Sequence, residues 1–309
     1  MKPSLAIKEK IMSDKHFSEL PKMHTTYANV IKSLLPSSNT KAKDLPSSVY
    51  TVDKLVIEQS NLREYRKICG FVDDGRVPAT YFAVLSQTLQ MNMMAKPDFP
   101  FAMLGLVHVE NSVTQHRVIF DTETVRLSVR LNNLRTHDKG QQFDFVTSVW
   151  VADEMVWEGV STYLSRQKKS KVQRQATHQG TTKPVFSRPD KSDDSLFLVM
   201  NVEEDIGRRY AFVSGDFNLI HLHPLSARVF GFPKAIAHGM WTKARSLAMI
   251  ARHFELPAAY RMDVSFKFPV FLPSKIELMT DTPDELGIEF GLYAKDSEKA
   301  HLIGTLAYL

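Results

Sequence analysis

The sequence contains a single cysteine, Cys69, so no disulfide bond can form within the chain. A lone thiol fits a reducing compartment, and beside Gly70 it is expected to be a small buried apolar group. No run of apolar residues approaches the length of about 18 that a membrane-spanning helix needs. The first 30 residues hold no apolar segment typical of a secretory signal. We therefore expect a cytoplasmic protein.

Aromatic residues are missing from the densest basic segment, residues 166–174. Stacking of nucleic-acid bases is therefore not indicated there, although the formal net charge of the chain is +5. Excess positive charge also suits small phosphorylated or acidic partners. What the chain does contain is ordinary for a globular protein, with 43% hydrophobic and 24% charged residues. Its 309 residues are enough for two domains.

Three groups with chemical potential lie close together between Tyr210 and Thr242. Ser214-Gly215-Asp216 is predicted to be a turn that presents a carboxylate, and His221 follows five residues later. A carboxylate and an imidazole that share one water can together remove a proton and return one. His238-Gly239-Met240 then opens an apolar segment with helical character. A helix that starts at glycine offers an unhindered backbone N–H to a developing oxyanion.

This segment resembles the signature of the MaoC-like, (R)-specific enoyl-thioester hydratases. The family pattern is an aromatic residue, a spacer, small-Gly-Asp-x-Asn-Pro-aliphatic-His and, after five more residues, Ala. Here it runs from Tyr210 through Ser214-Gly215-Asp216-Phe217-Asn218-Leu219-Ile220-His221 to Ala227. Leu219 stands where the family has proline, so the turn lacks the fixed φ that proline would supply. The resemblance continues at residues 237–240 and 265–271 and, in the first half, at 77–81 and 99–109.

Two other interpretations of these residues stay open. Asp216 and Asn218 are also common in Asx turns, and His221 could be a surface histidine. His221, His223 and His238 could instead ligate zinc, because a His-x-His pair is a known metal-binding spacing. His223, however, precedes a proline, which favours the first position of a helix and makes His223 a helix-entry residue.

The predicted elements occur in the same order twice. Each half has a strand, a short helix, a long helix and four strands, and the long helices start about 160 residues apart, near 79 and 239. Consecutive strands with short turns favour antiparallel pairing. We predict an α+β protein, and the resemblance implies a double hot-dog: two antiparallel sheets, each wrapped around a long central helix, forming a pseudo-dimer in one chain. The predicted units are an arm (1–45), a first hot-dog domain (46–165), a linker (166–194) and a second hot-dog domain (195–309).

Only the second half carries the acid–base groups. The corresponding connection of the first half, CGFVDDGRVP, holds Asp73 and Asp74 but no histidine. Beside Gly75, these aspartates are predicted to serve a loop turn. Double-domain members of the family commonly keep one working half, so the catalytic domain is expected at 195–309.

The resemblance implies a hydro-lyase that interconverts (R)-3-hydroxyacyl and trans-2-enoyl thioesters in fatty-acid metabolism. The carrier would be coenzyme A or acyl carrier protein. Asp216 and His221 would activate the water, the Gly239 N–H would hold the thioester oxyanion, and Ser214, Gly215, Asn218 and His238 would support the turn. No metal, redox cofactor or nucleic acid is implied. The double unit could pair further as a homodimer.

Two rival functions belong to the same fold. Hot-dog proteins also include acyl-thioester hydrolases, in which Asp216 would position a water for attack on the carbonyl carbon. The departure at Leu219 also leaves open a non-catalytic protein that binds acyl thioesters. The Asp-to-His spacing favours the hydratase.

Overall fold

The computed structural model describes residues 14–23, 25–26, 44–103, 105–166 and 195–309. Most of the predicted arm, nearly all of the predicted linker and all but the first residue of the basic segment lie outside the described residues. The predicted domain boundaries therefore stay predictions. Within the described ranges, no helix combines the length and the apolarity that crossing a membrane requires.

The first half follows the predicted order, with one added edge strand. Helix α1 buries Leu62, Tyr65 and Ile68 on one face, as their spacing indicates. Helix α2 is buried along most of its length and packs on two strands of the sheet. The elements are β1 (Lys15–Phe17), β2 (Val49–Val56), α1 (Gln59–Cys69), α2 (Tyr81–Met94), β3 (Leu106–Gln115), β4 (Thr124–His137), β5 (Gly140–Val151) and β6 (Glu154–Arg166).

The second half repeats this plan and adds a short turn and a short helix before its long helix. Helix α5 buries Ala244, Leu247 and Ile250, which lie along the apolar stripe read from the sequence. The elements are β7 (Phe197–Val202), α3 (Ile206–Ser214), a 3₁₀ turn (Leu219–His221), α4 (Pro224–Val229), α5 (Gly239–Ile250), β8 (Tyr260–Phe266), β9 (Ser274–Thr280), β10 (Gly287–Ala294) and β11 (Ala300–Tyr308).

Within the described residues, the two predicted sheets join into one sheet of 11 strands, in the order β1-β2-β4-β5-β6-β3-β8-β11-β10-β9-β7. The junction is an antiparallel ladder between β3 and β8, from Glu110 opposite Ser265 to Gln115 opposite Tyr260. Helix α2 packs on β4 and β5, and helix α5 packs on β11. The predicted double hot-dog architecture is therefore confirmed, with the two sheets joined edge to edge.

Buried polar contacts fasten the two halves on the helical side of that junction. The Lys243 ammonium on α5 is fully buried, and its Nζ donates to Asn111 Oδ1 (2.6 Å), to the Asn111 carbonyl (3.1 Å) and to the Met262 carbonyl (3.0 Å). Trp241 Nε1 donates to the Ile68 carbonyl at 3.2 Å. Helix α1 of the first half also contacts α3 and α5 of the second. The long helix that carries Gly239 is thus fixed relative to both halves.

Candidate active site

The carboxylate turn begins where α3 ends. Gly215 adopts a left-handed conformation (φ 74°), and its N–H donates to the Ala211 carbonyl at 2.8 Å, which closes the helix. The Asp216 N–H then donates to Ser214 Oγ (3.2 Å), and the Asn218 N–H donates to Asp216 Oδ1 (3.2 Å). The second of these bonds is an Asx turn, so that interpretation describes the geometry correctly. The other carboxylate oxygen, Oδ2, lies 3.9 Å from His238 Nε2.

The turn keeps its shape with leucine at position 219. Asn218 has φ −59° and ψ 126°, the extended conformation that a residue before proline prefers. Its side chain accepts from the Ile220 N–H (3.4 Å) and its carbonyl accepts from the His221 N–H (3.0 Å). Ser226 Oγ donates to the Leu219 carbonyl at 2.7 Å. Hydrogen bonds therefore hold the conformation that a proline would favour through its ring.

His221 is buried and has a defined tautomer. Its Nδ1 lies 2.8 Å from the Ile236 carbonyl, and because a carbonyl only accepts, Nδ1 carries the hydrogen and Nε2 keeps its lone pair. Burial lowers the pKa of His221 below its ordinary value, and the nearby Asp216 carboxylate only partly opposes this. The side chain is therefore a neutral imidazole with a basic Nε2 at neutral pH.

His238 joins the start of α5 to the carboxylate turn. Its Nε2 donates to the Asp216 carbonyl at 2.9 Å, and its ring stacks on His221 with centroids 3.6 Å apart. Tyr210, the aromatic residue of the motif, is buried with its ring 5.0 Å from that of His238. Burial, and then the neighbouring His221, lower the pKa of His238 to about 3. His238 is therefore a neutral clamp on the backbone of Asp216.

Gly239 is the first residue of α5, directly after His238. The first N–H groups of a helix have no partner within it, so they are free to bind an anion. A Cβ at this position would meet the Phe266 ring at 3.0 Å, which is tighter than an ordinary contact. Glycine thus allows the Phe266 ring to pack directly against the start of the helix.

The same cluster offers three potential metal ligands, because Asp216, His221 and His238 each place a donor atom within 4.8 Å of the others. The two imidazoles, however, stack at 25° between their planes. Nitrogen lone pairs lie in the ring plane, so two stacked rings do not direct them at one ion. His223 takes no part in the cluster: its Nδ1 accepts from the Leu225 N–H (3.1 Å) at the start of α4, as predicted for a helix-entry residue. The geometry suits proton transfer better than metal ligation.

The aspartates of the first half serve its fold. Asp73 and Asp121 (3.0 Å) both bond the buried guanidinium of Arg66. Asp74 Oδ1 accepts from the Arg76 N–H at 3.1 Å beside Gly75, whose φ is 78°. Asp74 thus serves the predicted loop turn, whereas Asp73 pairs with Arg66, a role that the sequence did not predict.

The structure places two side chains of the first half near the site, which the sequence did not indicate. His108 on β3 and Tyr163 on β6 stack with ring centroids 4.7 Å apart. After burial, which is the largest cause, the Asp216 charge raises the pKa of Tyr163; it also opposes the lowering of the pKa of His108 to about 4. Both rings therefore lie within electrostatic range of Asp216. A single histidine in a strand has no periodic or motif signal, so tertiary structure alone shows its position.

The sequence is similar to those of known dehydratases. The family model of the MaoC like domain matches residues 175–285. The 3-hydroxyacyl-thioester dehydratase X of Mycobacterium tuberculosis is 38% identical over 234 residues, which are 76% of this chain and 80% of that protein. A mitochondrial 3-hydroxyacyl-[acyl-carrier-protein] dehydratase of Arabidopsis thaliana is 36% identical over 73 residues, 24% of this chain and 43% of its own.

Solved structures agree in fold. The crystal structure of HtdX of Mycobacterium tuberculosis has a TM-score of 0.70 at 34% identity and covers 84% of this chain and 100% of its own. A MaoC-like dehydratase from Phytophthora capsici has a TM-score of 0.67 at 18% identity, covering 87% of this chain and 97% of its own, and shares the fold. With the motif at 210–242, the joined hot-dog units and a relative that is 38% identical over most of the chain, this protein belongs to the family of MaoC-like dehydratases.

Proposed function

We propose that the protein is a hydro-lyase that interconverts (R)-3-hydroxyacyl and trans-2-enoyl thioesters. The observation that carries this proposal is one short turn that holds the Asp216 carboxylate beside the neutral, tautomerically defined His221. Family membership supports the reaction class, because two relatives are named as 3-hydroxyacyl dehydratases.

In the hydration direction, a water held between Asp216 and His221 attacks C3 of the enoyl thioester. One of these two residues takes a proton from the water as the C3–O bond forms. The electrons of the C2–C3 double bond move toward the thioester carbonyl. The Gly239 N–H holds the oxygen on which charge develops, an interaction worth about 3 kcal/mol at other oxyanion sites. The pair then delivers a proton to C2. Dehydration follows these steps in reverse.

Burial gives His221 its role in this scheme. A histidine with its ordinary pKa near 6.5 would be partly protonated just below neutral pH and would lose its basic nitrogen. The lowered pKa of His221 keeps Nε2 available, and the bond from Nδ1 to Ile236 keeps that nitrogen facing away from the backbone. His238 holds the backbone carbonyl of Asp216, and the Asn218 N–H bonds its carboxylate, so both parts of Asp216 are positioned beside the shared water.

The acyl group of the substrate is carried on coenzyme A or acyl carrier protein. Coenzyme A and acyl carrier protein both present the acyl group on a pantetheine thioester, and either would satisfy this site. The scheme draws on no metal or redox cofactor. We also propose a cytoplasmic location, which suits the buried free thiol of Cys69. A homodimer of the double unit is a further expectation that light scattering would decide.

The deciding experiment follows the ultraviolet absorbance of a trans-2-enoyl-CoA on mixing with the protein. Wild-type protein should remove the enoyl chromophore without releasing thiol. Asp216→Asn should react at least about a hundredfold more slowly, since general acid–base groups typically contribute 10²–10⁴. Asp74→Asn is the matched control, because Asp74 is an exposed loop aspartate outside the site, and its rate should stay within a few-fold.

The rival functions give different results in the same cuvette. Release of free coenzyme A in step with turnover would show a thioester hydrolase. Binding of the thioester with an unchanged chromophore would show a non-catalytic binding protein. Either outcome, or a fully active Asp216→Asn variant with an unchanged circular dichroism spectrum, rejects the proposed hydro-lyase.

A further inference from the structure

His108 lies at the point where β3 leaves the ladder that joins the two halves. The pairing of β3 with β8 covers Glu110 to Gln115, whereas His108 pairs only with Tyr163 on β6. The register shifts between His108 and Glu110, which marks a bulge. Bulges commonly re-aim a side chain next to a site. The strand thereby directs one histidine of the first half toward the second half.

The His108 ring is packed between two aromatic rings. It stacks on Tyr163 (4.7 Å between centroids, 12° between planes) and meets Phe266 at 5.1 Å. Phe266 in turn covers Gly239, the first residue of α5. The Phe266 ring therefore lies between His108 of the first half and the proposed oxyanion site at Gly239.

One nitrogen of this ring has no partner. His108 Nε2 is inaccessible to solvent and makes no hydrogen bond to any of the described residues. A buried polar atom left unsatisfied costs about 1–3 kcal/mol, so its presence in the wall of a site calls for an explanation. Burial, the largest cause, and Lys243 lower the pKa of His108 to about 4, so the ring is neutral. It offers a ligand one N–H or one lone pair without a charge.

The chemistry of the proposed substrate limits what that nitrogen can bind. With the thioester oxygen at Gly239 and C3 at the Asp216 turn, a saturated acyl tail has no polar atom beyond C3. On the other side of the carbonyl come the sulfur, two methylenes and the first amide of the pantetheine arm. That amide carries both an N–H and a carbonyl, so it can pair with either tautomer of a neutral histidine.

We propose that His108, supplied by the half that lacks the catalytic motif, is a substrate-positioning residue whose Nε2 hydrogen bonds the first amide of the pantetheine arm. The inference rests on the proposed function and adds the binding site of the carrier arm to it. The flanking rings of Tyr163 and Phe266 hold the imidazole in place and exclude water from the bond. The first half then contributes to specificity for pantetheine thioesters.

The test compares two short substrates that differ in this amide. Trans-2-butenoyl N-acetylcysteamine thioester contains the amide, and trans-2-butenoyl S-pentyl thioester is of similar length without it. His108→Phe keeps an aromatic ring in the stack and removes both nitrogens. We expect kcat/KM for the amide substrate to fall about tenfold, chiefly through KM, as the loss of one hydrogen bond predicts. The S-pentyl thioester should react within twofold of the wild-type rate.

Two further variants sharpen the result. His108→Gln retains a hydrogen-bonding side chain and should recover part of the preference for the amide substrate. His116→Phe makes the same change at an exposed histidine just beyond the end of β3 and should alter neither substrate. The ratio of kcat/KM for the two substrates is internal to each preparation, so a variant that folds incompletely still gives a valid value.

The inference is overturned when His108→Phe leaves that ratio at its wild-type value, whether both substrates keep their rates or lose them equally. An equal loss would assign His108 a purely structural role in the aromatic stack. A wild-type protein that hydrates neither thioester nor any enoyl-CoA overturns the proposed function and this inference together. An active wild type with an unchanged ratio in His108→Phe overturns the inference alone.

Discussion

His221 and His238 lie face to face, with ring centroids 3.6 Å apart and 25° between their planes. Each ring has one nitrogen committed to a backbone carbonyl, His221 to Ile236 and His238 to Asp216. Protonation of both rings would place two positive charges at stacking distance in a buried site. Burial lowers the pKa of both rings, and the neighbouring His221 lowers that of His238 further, so both are neutral at neutral pH.

The rate of hydration should show this neutrality. Because the pKa of His221 is lowered, its basic form persists as the pH falls through 6.5, the ordinary pKa of histidine. We expect kcat/KM to stay constant from neutral pH to below 6.5 and to decline only at lower pH. A pH–rate profile, with circular dichroism at each pH to confirm folding, tests this. An acidic limb centred at or above 6.5 would contradict the neutral-base role of His221.

The clamp between His238 and Asp216 should be separable from the chemistry. His238→Ala removes the donor to the Asp216 carbonyl and should lower kcat about tenfold, since a displaced catalytic group loses its geometry. His238→Gln can place its Nε2 donor near the original one and should restore much of that loss. Steady-state kinetics of the two variants against wild type decides the point. Equal kcat values for Ala and Gln would show that the hydrogen bond does not position Asp216.

Gly207 packs directly against the backbone of His221. A Cβ at this position in α3 would overlap the backbone carbonyl oxygen of His221, so either the helix or the 3₁₀ turn must move in Gly207→Ala. We expect kcat to fall at least tenfold and the protein to lose about 1–3 kcal/mol of unfolding free energy through overpacking. Enzyme kinetics and urea denaturation measure the two effects. Arg209→Ala on the same helix serves as the control, because Arg209 pairs with Glu203 and Asp205 at the surface, and it should change kcat and stability little.

Buried Lys243 should make stability depend on alkaline pH. Burial lowers its pKa to about 7 in the folded protein, while an unfolded chain has a lysine pKa near 10.4. Between these values the unfolded state binds a proton that the folded state does not, so the free energy of unfolding rises with pH across this window. The cost of burying the charge is fully present below pH 7 and is relieved above it.

Replacement of Lys243 by Met removes this titration, whatever its effect on absolute stability. Urea denaturation at pH 7 and at pH 9.5 should therefore show a larger gain for wild type than for Lys243→Met. An identical change in the two proteins would indicate that the three acceptors around Nζ keep the lysine charged throughout.

The turn from Asp216 to His221 could be predicted from the sequence because its geometry is local. Asp216, Asn218 and His221 lie within six residues, and the Asx turn, the 3₁₀ turn and the start of α5 at Gly239 depend on neighbours in the chain. The order of strands and helices was visible for the same reason, since side-chain periodicity is a property of short segments.

Features that depend on the register between the halves could not be predicted. The ladder between β3 and β8 joins residues about 150 positions apart, and it brings Asn111 of the first half within hydrogen-bonding distance of Lys243. The position of His108 beside Phe266 has the same origin. The edge strand β1 was also missed, because three residues are too few to show a strand pattern, and its pairing with β2 is parallel.

The ladder between β3 and β8 joins two walls of the proposed site that belong to one covalent chain. Were the halves separate subunits, dilution would pull the walls apart, and catalysis would fade at the low enzyme concentrations of an assay. Tethering keeps the second wall at a high effective concentration around the first, so specific activity per molecule should not change with enzyme concentration. In a homodimer, each substitution appears in both subunits. In a single chain with two halves, a substitution in one half appears only once. Each half is therefore free to diverge, one toward proton transfer and the other toward holding the ligand.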